Sequence, residues 1–179
     1  MRFRIADCGL RIGLWMAAAT ISMVSLRAET IDRVLAVVGG QGGQIITLSD
    51  VTAARDLGLV SPGPSGDPIR IILSQLIDRE LVLAEVDRYA PPEPSPAAVD
   101  GELASVRARF ASAAAYEGVL ERSGVDDKHV RELVRQNLRI RAYQEQRFPP
   151  SDPRRQASID EWMAALRRRG DVVDLYATR

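Results

Sequence analysis

Few side chains in this sequence could do chemistry. His129 is the only histidine and Cys8 the only cysteine, and a zinc site needs several ligands drawn mainly from these two types. Ser-His-Asp and Cys-His catalysis find no setting either. His129 follows Asp126, Asp127 and Lys128 at the start of a helical stretch, the place of a solvated side chain. Glu80 and Glu85 are paired acids without a spacing that general acid–base work demands. The run Gly39-Gly40-Gln41-Gly42-Gly43 suggests a phosphate loop. No Gly-Lys-Ser or Gly-Lys-Thr follows it, however, and its glycines join two apolar runs instead of a strand and a helix. No catalytic residue, metal ligand or cofactor site is therefore expected.

Other polar residues stand out by position. Glu80 projects into an apolar helix face, and Asn137 interrupts the apolar stripe Val130, Leu133, Val134, Leu138, Ile140 of a second helix. Both are expected to be structural contacts that fix how helices meet, because a buried polar group needs a partner. Arg131, Arg135 and Arg139 recur every four residues, with Arg141 and Arg147 beyond. A solvated face is the expectation, and binding of anionic lipid headgroups or acidic peptides is the alternative.

The element that must position these residues is the stretch 67–89. Asp67 is a suitable N-cap, Pro68 fits the first helical turn, and Pro91-Pro92 stop the helix. Ile69, Ile72, Leu73, Leu76, Ile77, Leu83 and Ala84 form one apolar face, and Ile71, Val82, Val86 and Tyr89 extend it around the other side. Arg70, Ser74, Asp78, Glu85 and Arg88 make a narrow polar strip. A helix apolar over most of its circumference is a central one, and each fully buried Leu or Ile contributes roughly 1.5–3 kcal/mol.

Before it, residues 30–38 and 44–47 read as strands of a hairpin around the glycines. A hairpin is marginal alone and must lie against helices or gain a strand. Thr47, with Asp50 three residues on, caps a short helix from Leu48 to about Leu57, and Gly58 suits its end. After the Pro-rich break at 90–96, Ser95 caps a helix over 97–111. A short helix through Tyr116, Val119 and Leu120 is closed by Gly124, and Asp126 caps a long helix. Ser158 is placed as the cap of a last helix, 159–169, with Gly170 behind it. Residues 171–176 form a strand expected to pair with the hairpin. The predicted fold is mainly α, five to six helices with a small β-hairpin near the mature N-terminus joined by a short C-terminal strand.

Residues 1–28 read as a secretory signal peptide. Arg2, Arg4 and Arg11 precede the uncharged run 12–26, Ala28 is a small residue at the cut, and the run is shorter than the roughly 20 residues of a spanning helix. No stable membrane span is expected after cleavage. Removing this segment takes Arg2, Arg4, Arg11 and Arg27 against Asp7, leaving 20 basic and 23 acidic residues. A mildly acidic exported chain argues against a nucleic-acid partner. Without Cys8 the mature chain has no cysteine, so its stability must come from an apolar core. Residues 29–179 are expected to form one domain, with 29–148 as its N-terminal part and 158–179 as closing helix and strand.

The order of RVLAVVGGQGGQIITLSDV, LSQLIDRELVLAEVDRY, VRELVRQNLRIRAYQEQRF and IDEWMAALRRRGDVVDLY resembles the SurA N-terminal-domain family of periplasmic chaperones. The resemblance covers nearly all of the expected mature chain. It implies a helical chaperone core that binds unfolded, aromatic-rich segments of outer-membrane proteins without ATP, in the periplasm. Family members carry parvulin-type prolyl isomerase domains between the long and closing helices. Here only residues 149–158 occupy that place, far fewer than the ~50 a domain needs, so isomerase activity is not implied.

The residues add a less specific expectation, an exposed apolar groove that takes unfolded exported or outer-membrane polypeptides. Ile71, Val82, Tyr89, Tyr116, Tyr143 and Phe148, lying off the main stripes, are the candidate peptide-binding residues, and packing against neighbouring helices is the competing role for each. Two alternatives stand beside the chaperone. One is a non-catalytic periplasmic interaction subunit for a single folded partner. The other is a prolyl isomerase in label only, by family association.

Overall fold

The computed structural model describes residues 32–40, 42–63 and 66–176. The expected signal peptide, Cys8, and the first residues of the expected first strand, Thr30 and Ile31, lie outside them. The described residues are mainly α-helical with one small sheet.

β1 (Val34–Val38) and β2 (Gln44–Thr47) form the hairpin. Its turn tolerates no side chain at Gly43, where a Cβ would sit 2.2 Å from the Val38 carbonyl oxygen. A bulge between Val34 and Ala36 turns both Leu35 and Ala36 inward, and both are fully buried. β3 (Val172–Asp174) pairs antiparallel with β1, giving the order β2-β1-β3. The closing strand thus joins the hairpin on its β1 side, as the apolar run after Gly170 suggested.

The helices begin where local capping chemistry places them. In α1 (Leu48–Asp56) the Thr47 Oγ1 accepts from the Asp50 N–H and the Asp50 carboxylate accepts from the Thr47 N–H. In α2 (Pro68–Tyr89) the Asp67 Oδ1 accepts from the Ile69 N–H at 3.0 Å. Its Oδ2 takes a 2.6 Å hydrogen bond from the Tyr176 hydroxyl, tying the end of the chain to the start of the central helix. α2 ends on Ala90 at φ 44°, a left-handed conformation with no glycine to ease it. α3 (Pro96–Arg107), α4 (Ala113–Ser123) and α5 (Asp127–Arg147) start from Ser95, Ser112 and Asp126.

Three expectations need correction. α3 stops at Arg107, short of 111, because Arg109 and Phe110 turn back onto Val106 and Arg107 and leave Ser112 to cap α4. α6 (Arg155–Arg169) starts before Ser158. The turn Asp152 N–H to Pro149 O, followed by Arg155 N–H to Asp152 O, feeds the helix directly, so Ser158 sits inside it and its N–H bonds to Arg154 O. On α2, Ala84 is exposed while Glu85, assigned to the polar strip, is only 6% exposed. α6 packs along this side, and Arg169 reaches Glu85 at 2.9 Å.

Two apolar clusters result. One joins the sheet, α2, the end of α5 and α6 through Leu35, Ile72, Leu73, Val86, Trp162 and Leu166. The other joins α1, α3, α4 and the first half of α5 through Leu57, Leu103, Val106, Tyr116, Val130 and Val134.

Candidate binding groove

A cavity of about 1150 Å³ opens between α1, α2 and α5, with β2 and the residues after α6 on its rim. Leu76, Leu83 and Ala84 face it from α2, at spacings that share one helix side. Leu133 and Ile140 face it from α5, and Val60 from the loop after α1. These side chains are half-buried, apart from the exposed Ala84 and the buried Leu83. The groove lies where the two clusters approach each other without merging.

The reason they do not merge is polar. Arg79 donates from Nη1 to Glu80 Oε1 at 2.5 Å, from Nη2 to Gln136 Oε1 at 2.6 Å and from Nε to Asn137 Oδ1 at 3.1 Å. The two polar interruptions singled out in the sequence, Glu80 and Asn137, are therefore joined through one guanidinium. Burial pushes the Glu80 carboxyl above the usual glutamate range. The Arg79 charge opposes that shift, while Asp50 and Asp87 add to it.

The arginines of α5 form a partly solvated, ion-paired face: Arg141 and Arg147 are exposed, and Arg131 and Arg135 are partly exposed. Arg131 pairs with Asp100 at 2.5 Å, Arg135 with Glu93 at 2.5 Å and Glu132 at 2.7 Å, and Arg139 with Asp87 at 2.7 Å. Arg139 is itself buried. Carboxylates from α3, the Pro-rich connection and the end of α2 thus converge on one side of α5. The Arg135 guanidinium holds Glu132 below the usual range, and that of Arg107 does the same for Asp127. Arg147 lies over the Phe148 and Trp162 rings, 5.5 and 5.6 Å from their centroids.

Of the six candidate peptide-binding residues, none lines this cavity. Val82, Tyr116, Tyr143 and Phe148 are buried, Ile71 is half-buried, and Tyr89 is 58% exposed. Tyr143 stacks between Tyr89 (5.6 Å) and Trp162 (6.0 Å), and Phe148 meets Trp162 at 5.4 Å. These aromatics bind α6 to α5 and α2, because a ring between two helices gains more by packing there than by facing water. Tyr116 meets Phe110 edge-on at 5.3 Å and donates to Asp127 Oδ1 at 2.9 Å, deep in the second cluster. Lying off a helix stripe was no guide to exposure. The signal in the sequence that marks the groove is a polar residue on an apolar face, Glu80 and Asn137, which by sequence alone read only as helix contacts.

His129 is exposed near the groove's end, its N–H bonded to the Asp126 carboxylate. Among the described residues no helix is long and apolar enough to cross a membrane. No protein-family model matches the chain, and no curated protein matches it.

Proposed function

We propose that this protein is an ATP-independent holdase of exported polypeptides, acting in the periplasm, which takes unfolded outer-membrane segments into the groove between α2 and α5. The observation that supports it is a large open cleft whose walls alternate apolar side chains with polar and charged ones, set between two apolar clusters that both draw on α1. Such clefts suit extended apolar ligands. The sequence resemblance to SurA-type chaperone domains and the expected leader point the same way. The reading includes no catalysis.

Aggregation of an unfolded outer-membrane protein, followed by light scattering, tests it. Near-stoichiometric suppression is expected, and failure at excess chaperone would refute the proposal. Ala84→Arg fills the groove from an exposed position. It should abolish suppression while changing stability by no more than about 0.5 kcal/mol. A proline-limited refolding assay should show no acceleration.

A second reading, an interaction subunit for one folded partner, draws support from the sheet. Val37 lies directly opposite both Ile45 and Val173, so the three share one face. Ile45 is 50% and Val173 48% exposed. A pull-down dominated by one stoichiometric protein and lost in Val173→Lys, but kept in Ala84→Arg, would favour this reading over the holdase.

A further inference from the structure

We infer that the groove selects extended apolar segments carrying a lysine or arginine, and that Glu80 is the residue that receives the cation. This rests on the groove being the client site, as proposed above, and adds the chemistry by which it would choose among clients.

The cations along the groove are already engaged. All three donor nitrogens of Arg79 are taken by Glu80, Gln136 and Asn137. Arg88 and Arg169 reach Glu85, at 3.5 and 2.9 Å, and Arg141 reaches Glu102 at 3.8 Å. Arg79 is thus fully engaged at the centre of the groove, while Arg88 and Arg141 make only long, exposed pairs at its edge. On the acidic side, Asp87 is held by Arg139 and Glu132 by Arg135, while Asp171 lies exposed at the rim.

Glu80 differs. Its Oε1 accepts from Arg79 and its Oε2 from no described residue; the same holds for one oxygen of Asp87, but that side chain is 58% exposed and Glu80 is far less open to water. The Glu80 side chain is 17% exposed and lines the groove between the apolar positions Leu76 and Leu83. A carboxylate oxygen half-removed from water and short of a donor is complementary to a charged N–H group. Asp50 and Asp87 add negative potential at the same place, a small addition to the burial that chiefly pushes the carboxyl upward.

A lysine or arginine suits such a groove mechanically as well. Its methylene stem lies along Leu76, Leu83 and Ile140 while the head reaches the carboxylate. A glutamate at the same position of the ligand would meet Glu80 as a like charge. An uncharged residue would leave Oε2 as it is now. Charge complementarity of this kind selects partners more than it adds raw affinity.

The experiment is fluorescence anisotropy of the full chain with three short labelled apolar peptides, identical but for a central Lys, Gln or Glu. The Lys peptide should bind about tenfold more tightly than the Glu peptide, with the Gln peptide between them. Raising the ionic strength should narrow the spread, since a partly exposed pair is screened. Glu80→Gln keeps an oxygen for Arg79 and should bring the Lys and Gln peptides within about twofold of each other. If the Gln peptide binds but the series is flat or reversed, the charge selection is wrong and the groove proposal survives. A Lys preference that ignores salt, or persists in Glu80→Gln, overturns the role of Glu80. If none of the peptides binds, or if Ala84→Arg leaves binding of the Gln peptide unchanged, the groove proposal falls too and takes this inference with it.

Discussion

The two apolar clusters are built from similar side chains but from different parts of the chain. The first gathers the hairpin, α2, Tyr143, Trp162 and β3, so it needs both ends of the described chain to be complete. The second is made between Ala53 and Leu138, from α1 and from α3, α4 and the first half of α5, with α2 intervening between α1 and α3. Contacts close in sequence cost less loop-closure entropy. The α3–α4–α5 part of the second cluster can therefore form early, while its α1 contribution must close over α2 and the first cluster waits for α6 and β3. Between them runs the Arg79–Glu80–Asn137 bridge, which joins α2 to α5 without continuous apolar packing and leaves the groove open.

Equal substitutions on the two sides give the largest expected effects and the plainest way to break the comparison. Leu73→Ala in the first cluster and Leu103→Ala in the second should each cost about 2–5 kcal/mol in denaturant unfolding. Amide exchange should separate them. The first should loosen α6 and β3 as well as α2, and the second should stay within α1, α3, α4 and the start of α5. Identical exchange patterns would show that the clusters act as one.

The bridge comes next. Arg79→Met removes three donors at once and should cost about 1–3 kcal/mol, because Glu80 and Asn137 are left without a partner. Adding Glu80→Leu should restore part of that loss, since removing both members of a buried pair is far less harmful than removing one. A double variant weaker than the single would mean that Glu80 has another support.

Titration sharpens the contrast at smaller amplitude, because the two regions respond with opposite sign. Glu80 has a folded-state pKa above its unfolded value, so its contribution is fully present below the ordinary glutamate range, near 4.3, and is lost as pH rises through the raised value. Asp127 is held down chiefly by its hydrogen bond with Arg107. Its contribution is present above the ordinary aspartate range, near 3.9, and is lost as pH falls through the lowered value. In stability measured against pH, Glu80→Gln should remove the loss on the rising side and Asp127→Asn the loss on the acid side. Each variant leaving its own limb unchanged would contradict the assignment.

The smallest change is expected at the end of α2. Ala90→Gly relieves a left-handed alanine and should raise stability by up to about 1 kcal/mol, seen as a higher denaturation midpoint with unchanged slope. A loss there would mean that the alanine methyl contributes packing that outweighs the strain.

How far the sequence reached depended on the range of the interaction involved. The Thr47–Asp50 box, the Asp67 and Asp126 caps and the Gly124 stop are contacts over a few residues, and each could be placed from its neighbours alone. The closing strand was legible too, because a β-branched run after Gly170 can satisfy its backbone on a hairpin needing a strand, even though Val173 and Leu175 stay exposed. Burial around α2 was not legible. A helical wheel says which residues share a face and nothing about which neighbour covers it, so Glu85 went under Arg169 while Ala84 stayed in water. Tyr116, Tyr143 and Phe148 are buried for the same reason. They lie off their stripes, but each helix has neighbours on more than one side.

By itself, then, the sequence determined the elements, the helix starts with side-chain caps and the mainly α character of the chain, since local hydrogen bonding and periodicity suffice for those; the end of α3 and the uncapped start of α6 it did not. Only the tertiary structure decided that Arg79 would meet Asn137, and that Arg139 would meet Asp87, across more than fifty residues of chain. Those pairings depend on how α2 and α5 cross, which the summed packing of both clusters sets and no single stretch encodes. The groove exists because that crossing is held by polar groups at its centre.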